Sequence, residues 1–117
     1  MRISELTRLK RKADAVFQKK GMKDSPNCEG CGMPAYCLHH WIYKVHSNFL
    51  RYNTKNSVPV CLKCHAAIHT QPDGKIKHRI LLKRGIEWEN WLQEHRNDYI
   101  KMNKAYLLSY IEQNEHN

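Results

Sequence analysis

Four of the five cysteines fall as two CxxC pairs, Cys28–Cys31 and Cys61–Cys64. A two-residue spacer lets both sulfurs of a pair reach one ion, and four thiolates suit tetrahedral Zn²⁺. The spacing therefore predicts a structural zinc on Cys28, Cys31, Cys61 and Cys64. Such an ion ties two distant segments together and contributes directly to folding free energy. Cys37 is left over and reads as a small apolar filler of the interior.

The second pair is followed by His65 and, four residues on, by His69. On a helix these positions share one face, close enough to hold a single ion. "CLHHW", residues 37–41, sets His39 beside His40 in a strand-like stretch, where neighbouring side chains point to opposite faces. One of the two can join His65 and His69; the other then turns away and keeps a lone pair for a proton. Three imidazoles leave coordination positions open to water and substrate, as catalytic ions require. A cation and a base flanking one phosphate are what phosphodiester hydrolysis needs. Imidazole suits the base role because its ordinary pKa of roughly 6.5 leaves it mostly neutral at pH 7. The bland readings are that His65 replaces a cysteine at the zinc, or that His65 and His69 are surface residues.

Several elements must position these groups. Leu6, Leu9, Ala13, Val16 and Phe17 recur at helical steps, predicting a helix over residues 4–20 with Ser4 as its cap and Gly21 as its end. Residues 35–45, "AYCLHHWIYKV", have strand composition, and residues 62–70 read as a short helix. "QPDGK" is a turn. The remainder is helical in two or three pieces, with stripes at Ile76, Ile80 and Leu81, then Trp88, Trp91 and Leu92, then Tyr99, Met102, Tyr106, Tyr110 and Ile111. Those aromatics are expected in the core. His78, His95 and His116 fall in this tail and are expected to have no role in the site.

The chain has 117 residues, which favours one domain: a basic N-terminal helix (1–24), a metal-binding core (25–70) and a helical tail (71–117). Twenty Lys and Arg against eleven Asp and Glu give a formal charge of +9, which favours a polyanion, and nucleic acid is the commonest. The first twenty residues are too charged for a signal peptide, and no apolar run is long enough for a membrane span. With metal-type cysteines, this predicts a cytoplasmic protein with no membrane partner.

The motif "CEGC…LHH…N…CLKCHAAIH" resembles the HNH endonucleases and their ββα-metal fold. The resemblance implies an α+β architecture, a small zinc-stabilised core of two strands and a helix flanked by an N-terminal helix and C-terminal helices. It makes His39 a metal ligand with His65 and His69, and His40 the general base. Asn56 becomes the organiser of the loop between the strands, with Asn53 as a competing candidate. A longer stretch, "HWIYKVHSNFLRYNTKNSVPVCLKC", with the later "LLKRGIEWENWLQ", is similar to the phage NinG/Rap recombination nucleases, including an RxNxxN pattern at Arg51, Asn53 and Asn56. The chain departs from them at His39, where they carry a small residue, and at His65, where they carry asparagine. No long N-terminal extension is expected.

The expected activity is divalent-metal-dependent hydrolysis of DNA, with the ion (Mg²⁺, Mn²⁺, Ni²⁺ or Zn²⁺) on a nonbridging phosphate oxygen and the leaving 3′-oxygen. The resemblance implies 5′-phosphate and 3′-hydroxyl ends. Lys44, His46, Arg51, Lys55, Lys63, Arg11 and Lys12 are candidate DNA contacts, so affinity should fall with salt. A monomer and a homodimer both fit, since one copy cuts one strand. The rival readings are a non-catalytic zinc-dependent nucleic-acid-binding module and a recombination-accessory protein acting through its helical tail. The binding module has no use for His39, His40, His65 and His69 together, and the accessory protein would carry no metal beyond one zinc.

Overall fold

The computed structural model describes residues 3–71 and 74–115; His116 and the centre of the "QPDGK" turn lie outside them. Helix α1 spans Glu5–Asp24. It starts at Ser4, whose extended backbone and side-chain oxygen, accepting the Thr7 N–H at 3.1 Å, satisfy one of the open amides of the first turn. Ala13 and Phe17 are its buried residues.

The helix does not end at Gly21. Gly21 permits a close approach: a Cβ there would overlap the Leu38 side chain on the strand beneath. The helix continues one further turn, until the Ser25 N–H closes on the Gly21 carbonyl at 2.9 Å. Gly21→Ala is expected to cost about 1–3 kcal/mol, because added volume must displace a buried leucine. Denaturant unfolding of the metal-loaded protein measures this, and unchanged stability would mean that Leu38 yields freely.

Strands β1 (Cys37–His40) and β2 (Ser57–Val60) pair antiparallel, with Cys37 opposite Val60, Leu38 opposite Pro59, His39 opposite Val58 and His40 opposite Ser57. β1 is far shorter than the strand-like composition of residues 35–45 predicts. The Trp41 N–H still reaches the Asn56 carbonyl at 2.9 Å, but both backbone groups of Ile42 are taken by the Asn56 side chain. Pairing stops there, and residues 41–53 loop out before a short 3₁₀ turn at Thr54–Asn56 returns the chain to β2.

Helix α2 (Leu62–Thr70) follows β2 directly and matches its predicted bounds. Cys61 is its N-cap, its sulfur accepting the Cys64 N–H at 3.4 Å. The tail forms α3 (Lys75–Arg84), α4 (Ile86–His95) and α5 (Lys104–Asn114). Gly85, at φ 90°, separates α3 from α4 with a backbone that a side chain would strain. The architecture is mixed, helices around a two-stranded sheet.

Three clusters form the interior. Val58, Val60, Ile68 and Ile80 pack with Cys28 and Cys64. Ile42, Leu50 and Leu92 pack under the loop, with Trp41, Trp88 and Trp91 half-buried around them. Ala13, Leu107 and Ile111 join α1 to α5. Tyr99 is not in the core: it is 77% exposed, in the irregular segment before α5. The Asn48 side chain binds both backbone groups of Ile100 and holds that segment away from a helix. No helix among the described residues is long and apolar enough to cross a membrane.

Candidate metal centres

Cys28 and Cys31 sit on a tight turn closed by Cys28 N–H to Met33 O at 2.7 Å and Gly32 N–H to Cys28 O at 2.8 Å. Cys61 and Cys64 come from the first turn of α2. The four sulfurs lie within 4.8 Å of one another, with Cys31 and Cys61 Sγ 3.6 Å apart. Sulfurs bound at about 2.3 Å to one tetrahedral ion stand roughly 3.7 Å apart, so the spacing fits. Gly30 is required at the knuckle, since a Cβ would press on Cys64 Sγ at 2.8 Å. Burial pushes the Cys28 thiol up, but amides of Cys61, Cys31 and Gly30 outweigh it and bring it down to about 7. Burial and the neighbouring sulfurs of Cys61, Cys28 and Cys31 push the Cys64 thiol the other way, so the group as a whole takes up an ion by giving up protons.

The tail clamps this knuckle. Arg84 forks onto the Glu29 carboxylate and reaches the Ser57 carbonyl at 2.9 Å, and Arg79 donates to the Gly30 carbonyl at 2.7 Å. His65 is not part of the cysteine group. It belongs to a second cluster with His39 and His69, whose ligand nitrogens also lie within 4.8 Å of one another.

Strand alternation creates that second cluster. Cys37 and His39 face α2, while Leu38 and His40 face α1. His65 and His69, one helical turn apart, present Nε2 atoms 3.1 Å from each other. The His39 ring packs edge-on to both, with centroids 5.4 and 5.2 Å away. His39 Nε2 is buried and has no hydrogen-bond partner, alone in this among buried side-chain polar atoms of the described residues. A buried nitrogen without a partner is costly, and an ion or a water would each relieve it. Burial first, then the neighbouring His65 and His69, lower its pKa to about 3, so it is a neutral donor. The residues fit a divalent ion, and two nitrogens at about 2.1 Å from one ion sit roughly 3.4 Å apart.

On the other face, His40 stacks on Phe17 at 5.4 Å. Its Nε2 lies 2.9 Å from the Arg51 carbonyl, which can only accept, so Nε2 carries the proton and Nδ1 keeps its lone pair. Burial lowers its pKa against the opposing pull of that carbonyl. His39, His40, His65 and His69 nevertheless line one open cleft of about 360 Å³, with Leu38, Tyr43, Lys44 and Val45. The two imidazoles leave the strand in opposite directions and still meet the same space.

Asn56 is fully buried. Its Oδ1 accepts the Ile42 N–H at 2.7 Å, and its Nδ2 donates to the Ile42 and Leu50 carbonyls at 2.8 and 3.4 Å. Asn53 only caps the 3₁₀ turn, through the Lys55 N–H. Asn56→Ala should cost about 2–4 kcal/mol, because three buried backbone groups lose their partner. Asn53→Ala should cost about 1 kcal/mol, the loss of a cap. Denaturant unfolding of the two variants compares them, and the reverse order would make Asn53 the loop organiser.

The predicted DNA contacts divide by what they already touch. Arg11, His46 and Lys63 are exposed, His46 with its ring against Tyr43 at 6.1 Å. Lys12 pairs with Glu115 at 3.6 Å. Lys55 lies over the Trp91 ring at 4.2 Å. Arg51 is held by Asp14 through two bonds of 2.9 and 2.7 Å, and Lys44 reaches the same carboxylate at 3.5 Å. Tyr52 also donates to Asp14 at 2.9 Å. Burial pushes the Asp14 carboxyl up, but the bonds from Arg51 and Tyr52 outweigh it and hold it low.

Sequence reasoning passed over Asp14, whose one sign was an acid inside the basic run "RLKRKADAVF". It also passed over Tyr43, whose hydroxyl lies 3.4 Å from His69 Nδ1. Cys37, read as a filler, is half-buried against the core with its sulfur 3.5 Å from His65 Nδ1. Compared with protein-family models, curated proteins and solved structures, the chain matches none.

Proposed function

We propose that this protein is a divalent-metal-dependent endonuclease of the HNH, ββα-metal kind, hydrolysing phosphodiester bonds in DNA, with a structural zinc on its four cysteines. The observation that carries this reading is the convergence of His39, His65 and His69, with the buried His39 Nε2 unpartnered, in a cleft that His40 also lines. A binding module has no need for a neutral, carbonyl-oriented imidazole beside a second ligand cluster.

His39, His65 and His69 would hold the ion. When bound, a divalent cation supplies charge stabilisation to the phosphate and to its departing 3′-oxygen. Three imidazoles without a carboxylate suit Ni²⁺ or Zn²⁺ better than Mg²⁺. His40 takes the proton of the attacking water on Nδ1. The Arg51 carbonyl fixes the tautomer that leaves Nδ1 bare, and Phe17 holds the ring plane. The Asp14 grip on Arg51 steadies the segment bearing that carbonyl. Asn56 keeps the loop closed over Leu50 and Ile42, fixing Tyr43 and Lys44 at the cleft. The net charge of +9 draws the polyanion, with Arg11, Lys63 and His46 exposed to meet phosphates.

Zinc-loaded protein incubated with supercoiled, linear, single-stranded and four-way DNA, with Mn²⁺, Ni²⁺ or Mg²⁺, tests the reading. Nicking of at least one DNA, stronger with Ni²⁺ than with Mg²⁺, is expected. Binding without nicking under every ion would leave a zinc-dependent DNA-binding protein instead.

A further inference from the structure

We propose that Tyr43 and Cys37 are positioning residues that fix the tautomers of His69 and His65 and so aim both Nε2 lone pairs at one ion. This rests on the three-histidine metal reading above.

The two Nε2 atoms stand 3.1 Å apart. A neutral imidazole carries one proton, on Nδ1 or Nε2. Two N–H groups cannot face each other at that distance, and one shared ion needs both nitrogens bare. Both protons must therefore sit on Nδ1, where each needs an acceptor. The structure places one at each: the Tyr43 hydroxyl oxygen 3.4 Å from His69 Nδ1, and the Cys37 sulfur 3.5 Å from His65 Nδ1. They come from different places, Cys37 from β1 two residues before His39 and Tyr43 from the loop after it. β1 and its loop thus supply both the His39 ligand and the outer partners of the two α2 ligands.

Packing gives Tyr43 a second role. Its ring meets His39 edge-on at 5.8 Å and lies 5.9 Å from the His69 ring. It wedges between ligands from two elements. Tyr43→Phe keeps that wedge and deletes only the acceptor. Partners of this kind raise ligand basicity and fix ring orientation, and their loss weakens metal binding by about 10- to 100-fold.

The test is calorimetric Ni²⁺ titration of the full chain carrying zinc at its cysteines, its histidine cluster first emptied by mild chelation. Tyr43→Phe and Cys37→Ala are each expected to lower Ni²⁺ affinity by about 10-fold or more, with melting temperature before Ni²⁺ addition unchanged for Tyr43→Phe. Cys37→Ser, which restores an acceptor, should recover most of the loss that Cys37→Ala causes. Wild-type Ni²⁺ affinity in both Tyr43→Phe and Cys37→Ala overturns the inference. His69→Ala separates the two levels. If it abolishes Ni²⁺ binding while Tyr43→Phe does not weaken it, only the positioning role falls. If wild type takes up no Ni²⁺ beyond its zinc, the metal reading falls and this inference with it.

Discussion

His40→Ala should lower the rate of DNA cleavage by about 10²- to 10⁴-fold, the usual contribution of a general base. It should do so without loss of either metal group or of DNA affinity. His40 faces α1, where its ring stacks on Phe17 and its Nε2 bonds the Arg51 carbonyl. Truncation therefore removes a proton acceptor, one stacking partner and the bond to the Arg51 carbonyl. The comparison with His39→Ala is decisive, because the two residues are neighbours with opposite roles. His39→Ala deletes the buried nitrogen of the histidine cluster and should lose the exchangeable ion as well as cleavage. Single-turnover cleavage beside metal content measures both. If His40→Ala cleaves like wild type, the proton goes elsewhere.

The largest effect on stability should come from removing the ion at the cysteines. Structural zinc contributes apparent binding free energies of about 10–16 kcal/mol to small domains, as large as the whole stability of an ordinary one. Here the sulfurs are also part of the core: Cys28 and Cys64 pack with Val58, Val60, Ile68 and Ile80. The knuckle is what Arg79 and Arg84 hold, so the tail loses its anchor with it. Strong chelation, or Cys64→Ser, is expected to abolish the cooperative unfolding transition seen by circular dichroism. Mild chelation, which reaches only the open histidine cluster, should leave that transition in place. A cooperative transition that survives complete zinc removal would show that the apolar clusters suffice alone.

How much of this was legible in the sequence depended on range. The CxxC pairs and the i, i+4 histidines carry their geometry in their spacing, and both groups assemble as the spacing predicts. α2 was readable to the residue because the run "LKCHAAIHT" is bounded by the turn "QPDGK", while its cap, Cys61, showed only in the structure. Gly85 acts as the break it resembles, whereas Gly21 does not. The same residue type serves a left-handed turn in one place and close packing in the other, and only the partner, Leu38, distinguishes them. Residues 41–45 have strand composition, yet a buried amide fifteen positions after Trp41 takes the backbone of Ile42. Strand preference is a weak local term against that. Arg51 and Lys44 looked like phosphate contacts because their acid, Asp14, lies 37 and 30 residues earlier in the chain. Tyr43 had no signal at all, since a loop aromatic reveals nothing of what it faces.

The central claim is that His39, His65 and His69 take an exchangeable divalent ion beside His40. Metal content per chain, measured before and after mild chelation and again after adding back Mn²⁺ or Ni²⁺, tests it most directly when plasmid nicking is followed on the same samples. The account predicts two ions per wild-type chain, one lost and regained in step with nicking, and a single tightly held ion in His69→Ala. One ion per wild-type chain, unchanged by chelation and added metal and with no nicking, would contradict it.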